Sequence, residues 1–359
     1  MATEVRPDSS SADVSVNRRI AILATLLGVA AIAVLYWLAT YVHPFGLRAW
    51  MVKESALRVF VWSVRDLFRY SILTPGFGIA MALTLVLERL IPAKANQPIL
   101  SVAFAQDLVW FFYETILHAA IIVTYVQLLT MVYQANVSFL TIDAVLAWPG
   151  WLRFAVGVLL LDLLMWGQHV VNHKFGVLWE LHTVHHSQRT LNFFTDFRYH
   201  VLEYVVRQTF LVIPFLVLRV DPPKIVWLAL VLGWYTRFYH GNIRTNLGPL
   251  RYLLVTPQSH RIHHSIEPRH RDTNFGSIFC IWDQVFGTQY RGYDEYPDTG
   301  IEDDAFPLET KRDVRSLLVT PLVQMLYPLR RLRERFTRRE SPRAAPRTGY
   351  ADDASGVQP

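Results

Sequence analysis

The run His169-Val170-Val171-Asn172-His173, followed closely by His182-Thr183-Val184-His185-His186, decides how this chain is read. Further on, His260-Arg261-Ile262-His263-His264 repeats the H-x-x-H-H spacing. Residues i, i+3 and i+4 share one face of a helix. His169 and His173 therefore point the same way, as do His182, His185 and His186, and His260, His263 and His264. Eight nitrogen donors on three helical faces can build a metal site, and one with room for two ions. A tag-like tract would be contiguous and would sit in a tail. These rings recur at helical intervals among apolar neighbours.

Composition sets the frame. Of 359 residues, 52% are hydrophobic, and the mean hydropathy is +0.23. That is high for a soluble enzyme and modest for a protein made only of spans, so it suits membrane helices carrying a sizeable polar part. Cys280 is the single cysteine, which excludes an internal disulfide and limits thiolate ligation to one. A metal site must rest on histidine, with carboxylates as helpers. The net charge of +6 comes largely from the C-terminal end. These basic residues lie beside membrane segments without a recognition motif, so no nucleic acid is expected as a partner.

Outward from the boxes, the chain divides in three. Residues 1–17 read as a disordered N-terminal tail. Residues 18–310 read as a membrane-embedded domain with the histidine boxes inside 162–288. Residues 311–359 read as a basic membrane-proximal segment and disordered C-terminal tail. Apolar runs at 20–42, 72–91, 108–133 and 149–168 are candidate spans, with 72–91 either a span or a re-entrant hairpin. The stretch 48–69 mixes aromatics with Lys and Arg and reads as interfacial. The segment 201–240 is bent by Asp221-Pro222-Pro223 into a helical hairpin, because proline cannot continue a helix. The loop 134–151 lacks Lys and Arg, whereas the C-terminal region is arginine-rich. By the positive-inside rule the boxes face the cytoplasm. The expected fold is all-α, a polytopic membrane helical bundle with a cytoplasmic-face helical cap carrying a histidine-rich di-metal site.

Thirteen histidines are present. His200 and His240 lie at the ends of the bent hairpin, where they can come beside the boxes. A structural zinc needs only four ligands, so eight to ten imidazoles fit two ions. Such a pair at the mouth of a membrane bundle points to redox work on a lipid, with iron the simplest metal for activating O2. Two other readings use the same residues. A histidine-rich metal transporter is disfavoured because ionisable transport sites sit mid-membrane. A bis-histidine haem membrane protein would use only some of the rings.

The motifs resemble those of the fatty acid hydroxylase/sterol desaturase superfamily of membrane di-iron enzymes. Arg198-Tyr199-His200-Val201-Leu202-Glu203 looks like its R-x-H-P-x-E element, with Val201 where proline is usual. Tyr239-His240-Gly241-Asn242 resembles its isolated histidine. Residues 256–264, Thr-Pro-Gln-Ser-His-Arg-Ile-His-His, fit its T-P-x-x-H-R-x-H-H form, and 272–276 and 282–288 resemble the elements that follow. The likeness covers about residues 105–295. It implies that His169, His173, His182, His185, His186, His260, His263 and His264 ligate iron. It adds His240 and His200 as further ligand candidates, and Asp162, Glu203, Asn274 and Asp283 as groups that fix ring tautomers. It implies two irons per chain and O2 as co-substrate, with a lipid substrate, a sterol or long acyl chain, hydroxylated or desaturated. His43 sits at a span end without a haem-type domain around it. Electrons are therefore expected from a separate ferredoxin, cytochrome b5 or reductase.

Overall fold

The computed structural model describes residues 75–98, 100–121, 125–220, 222–309 and 313–337. The tail 1–17, the run 20–42, His43, the stretch 48–69, Asp221 and the C-terminal residues 338–359 lie outside the described residues. Among those described the fold is all-α, with three isolated bridges and no strand.

The helices are α1 (Pro75–Leu90), α2 (Val102–Ile121), α3 (Gln127–Val132), α4 (Gly150–Lys174), α5 (Gly176–His186), α6 (Val201–Val217), α7 (Pro222–His240), α8 (Pro257–His263), α9 (Ile281–Val285) and α10 (Val314–Thr337). α4 is central and packs on α5 and α6, while α10 lies across α5 and α2. A 3-10 turn at Phe193–Phe197 joins α2 to α7. It is held by a capping box in which Asn192 and Thr195 satisfy each other's backbone N–H. Phe193, Phe194 and Phe197 pack there with Phe77 and Phe111 in an aromatic core. A second core joins Leu161 and Met165 of α4 to Phe215, Leu218 and Val220.

The polarity of several helices is inverted. On α1, Ile79, Leu83, Val86 and Leu90 form an exposed stripe at helical spacing, while Thr84 and Glu88 are buried. On α2, Phe112 and Ile116 are exposed, while Gln106, Asp107 and Thr115 are buried. On α4, Trp151 and Leu159 are exposed, while Asp162, Gln168 and Asn172 are buried. A helix facing water does the opposite.

Among the described residues one helix, Gly150–Lys174, is long and apolar enough to cross a membrane. Of the segment expected at 72–91, the described residues Pro75–Leu90 form one unbroken 16-residue helix, about 24 Å long. The run 108–133 falls on α2 and α3, and α2 carries Asp107 and Glu114 within its length. At the far end of α4 from the histidines, Phe139, Leu140, Trp148 and Trp151 are exposed. Trp151 lies roughly 30 Å along the helix from the first histidine box, at 1.5 Å per residue.

α4 stops at Phe175, whose extended backbone turns the chain before Gly176 opens α5. α6 ends just before residue 218 and α7 starts at Pro222, so the hairpin starts beside His200 and ends at His240.

Candidate metal centre

Nine imidazoles converge in two groups. His169, His173, His182, His186 and His263 form one, and His185, His240, His260 and His264 the other. Within each group one nitrogen per ring lies within 4.8 Å of the rest. The repeated box explains the division. In α5 the i and i+4 rings, His182 and His186, join the first group, and the i+3 ring, His185, joins the second. In α8 the rule is reversed. His260 and His264 join the second group, and His263 joins the first.

Four rings are pinned through Nδ1. His169 donates to the Phe275 carbonyl at 3.0 Å, His263 to the Thr273 carbonyl at 2.9 Å, and His240 to the Thr236 carbonyl at 2.7 Å. His182 Nδ1 donates to Glu203 Oε1 at 2.6 Å. A carbonyl or carboxylate oxygen only accepts, so each ring carries its proton on Nδ1 and a lone pair on Nε2. Yet His169 Nε2 and His182 Nε2 stand 3.1 Å apart. Two lone pairs at that distance make no hydrogen bond and need a cation between them. His173 and His186 meet through Nε2 at 3.2 Å, His240 and His260 at 2.8 Å, and His260 and His264 at 3.1 Å. Nitrogens about 2.1 Å from one ion and at right angles lie about 3.0 Å apart. His263 Nε2 is buried without a partner, as a waiting ligand atom would be. The donor set therefore fits two ions of the imidazole-binding kind.

The backbone favours cations as well. α4, α5, α7 and α8 all end at this point, with His173, His185, His186, His240 and His263 in their last turns. Helix C-termini carry partial negative charge. Burial, then crowding by other imidazoles, holds His185, His186, His260 and His264 well below the usual imidazole range. Burial pushes His263 down to about 3, against the raising effect of the Thr273 carbonyl. These rings stay neutral, which is the form that binds metal.

Of the carboxylates and amides singled out from sequence, Glu203 is the one that touches a ring. It also accepts from Asn172 at 3.0 Å. The others act through the loop that supplies carbonyls. Asp283 accepts from Phe275 N, Gly276 N and Trp166 Nε1, and so places the carbonyl that holds His169. A Cβ on Gly276 would come 2.8 Å from the Phe279 carbonyl oxygen, so this loop has room for glycine alone. Asn274, at φ 58°, donates to Ser259 O and accepts from Tyr290 N. Asp162 accepts from Ile278 N, Phe279 N and Trp282 Nε1, tying the loop to α4. His200 is in neither group. It is the N-cap of α6, its Nδ1 accepting from Leu202 N at 3.1 Å. Asp196, 3.6 Å from His240 Nδ1 and bonded to Thr236, escaped the sequence reading. So did Asp272, 3.6 Å from His173 Nδ1. The three carbonyl acceptors have no side-chain signature that could have disclosed them.

Two cavities reach the rings. One of about 350 Å3 opens on His173, His186 and His263, and a smaller one of about 40 Å3 touches rings of both groups, His169 and His182 as well as His185, His240 and His260.

Residues 154–288, which include every ring of both groups, match the fatty acid hydroxylase family model. This part of the chain is similar to the fatty acid hydroxylase/sterol desaturase superfamily. It is 29% identical over 141 residues to an ornithine lipid hydroxylase of Rhizobium tropici, covering 39% of this chain and 43% of that one. It is 34% identical over 154 residues to the alkylglycerol monooxygenase of Danio rerio, covering 43% and 33%. With the alkylglycerol monooxygenase of Homo sapiens it shares 32% over 121 residues, covering 33% and 26%. The match thus spans less than half the length of each relative. No solved structure matches the chain.

Proposed function

We propose that this protein is an O2-dependent membrane oxygenase that hydroxylates an unactivated C–H bond of a lipid. Two irons would be held, one by His169, His173, His182, His186 and His263, the other by His185, His240, His260 and His264. The observation that carries this reading is the facing pair of Nε2 lone pairs on His169 and His182. Relatives named as a lipid hydroxylase and as monooxygenases support the same class. Bound iron would supply O2 and one-electron chemistry. The overall reaction, R–H + O2 + 2 e⁻ + 2 H⁺ → R–OH + H2O, takes its electrons from a separate ferredoxin, cytochrome b5 or reductase.

The chain's own residues do the rest. The Nδ1 anchors fix each ring before metal or substrate arrives. Burial of His185, His240, His260 and His264 keeps bulk water from the four-ring side. The larger, polar cavity gives water and protons a path to the five-ring side. Inverted polarity on α1, α2 and α4 supports a multi-pass bundle in lipid. The aromatic end of α4, about one hydrocarbon thickness from the boxes, supports a centre at the opposite membrane surface. The arginine-rich C-terminal region supports the cytoplasmic side for that surface.

Metal analysis of the purified protein, coupled to lipid profiling in a host supplied with O2 and a competent reductase, tests the reading. It expects about two irons per chain and a lipid gaining one oxygen atom. An iron-loaded protein that alters no lipid, or a protein that takes up no iron, refutes it.

A further inference from the structure

The two cavities beside the histidines differ in charge balance. In the larger, every arginine has an acid. Arg335 pairs with Glu180 at 2.5 Å, Arg331 stands 3.8 Å from Asp303, and Arg271 pairs with Glu302. In the smaller, the one arginine is Arg207. Among the described residues no carboxylate lies within ion-pairing distance of it. Glu203, one turn earlier on α6, also lines this cavity; its Oε1 holds His182 and Asn172, and its Oε2 is buried without a hydrogen-bond partner. Asp196 bonds Thr236 and faces Arg237 and His240. Arg207 instead lies over the Tyr199 ring, 5.2 Å from its centroid. Tyr199 in turn stacks on His185 at 4.9 Å. On another wall Tyr239 packs on His260 at 4.4 Å.

Asp196 acts on Arg207 only from beyond ion-pairing distance, and a partly buried guanidinium without a directly bonded acceptor is costly. Its planar fork of donors matches the oxygens of a carboxylate or phosphate. We propose that the smaller cavity seats the anionic headgroup of a lipid, with Arg207 as its anchor and Tyr199 and Tyr239 as flanking walls. This rests on the lipid-oxygenase reading and narrows it. The substrate bears a carboxylate or phosphate, and the carbons close to that group face His169, His182, His185, His240 and His260. About 40 Å3 holds a few waters or a group of carboxylate size, not a folded acyl chain. A neutral sterol offers the Arg207 fork no bidentate acceptor.

Titration calorimetry on the full-length, iron-loaded protein in neutral detergent tests this with three probes of equal chain length: dodecanoate, dodecyl phosphate and dodecanol. Wild type is expected to bind at least one anion roughly ten- to a hundredfold tighter than the alcohol, as a charge-assisted bond would give. Which anion wins separates a carboxylate from a phosphate headgroup. Arg207→Gln should level the three affinities with metal content unchanged, and Arg207→Lys should keep part of the preference. No anion preference in wild type overturns the proposal whether or not any variant folds. A full preference retained by Arg207→Gln overturns it too. Failure of the oxygenase reading would show elsewhere, as absent iron or absent oxygenated lipid, while the anion preference remained.

Discussion

The rings of His186 and His264 stack 4.3 Å apart, tilted by only 21°, yet they belong to different groups. Each is the last histidine of its H-x-x-H-H box. Their contact is where the two groups meet, and it places the five-ring and four-ring sets side by side rather than at separate sites.

Each box serves both groups, so single substitutions should be selective in a particular way. His182→Ala removes a ring from the five-ring set, and His260→Ala one from the four-ring set. Each variant should fall from about two metals per chain toward one, with membrane insertion intact. Metal analysis on membranes and purified protein reads this. Unchanged metal content in both variants would mean that the rings are not ligands.

Glu203 and Asp283 should fail differently. Glu203→Gln weakens the anchor on His182 and should lower metal affinity about 10–100-fold with little loss of fold. Asp283→Ala strands Phe275 N, Gly276 N and Trp166 Nε1 without an acceptor. At about 1–3 kcal/mol for each lost partner, it should depress thermal stability as well as metal binding. Melting curves beside metal titrations distinguish the two.

His200 should behave as a cap. His200→Ala should cost about 1 kcal/mol of stability, and His200→Asn should recover most of it. Metal content should stay unchanged in both. A loss of metal in His200→Asn would return this residue to the ligand set.

Acid should unfold the metal-free protein from a well-defined point. An unfolded histidine titrates near 6.5, whereas His263 in the fold is pushed down to about 3 and its buried neighbours lie well below 6.5. Between these values the unfolded chain binds more protons than the fold, so stability falls as pH falls. The histidine contribution to stability should be flat above about 6.5 and decline below it. A denaturation series across pH 4–8 checks this, and a decline beginning above neutrality would contradict the buried, neutral rings.

Much of this arrangement was legible because helical spacing is itself geometry. His169 with His173, and the two H-x-x-H-H boxes, carry their shared faces in their numbering. Residues 256–259 read in the sequence only as part of the T-P-x-x-H-R-x-H-H form, and the structure adds that Thr256 and Ser259 satisfy each other at the capped start of α8. What stayed hidden lies in groups without a side-chain signature, namely the carbonyls of Thr236, Thr273 and Phe275. His200 shows the limit of a lone residue, since a histidine just before a helix reads alike as cap or ligand. Asp107 and Gln106 blurred the membrane segments. They face inward on α2, and so lower its average hydropathy without making its outer surface any more polar.

The division of α5 and α8 between the two groups has a consequence for loading. An ion bound by one set immobilises rings on both helices, and those helices carry rings of the other set. The first occupancy thus meets the entropic cost of ordering α5 and α8, and the second ion should enter more readily. Uptake by the stripped protein should be sigmoidal, with few chains caught holding a single ion.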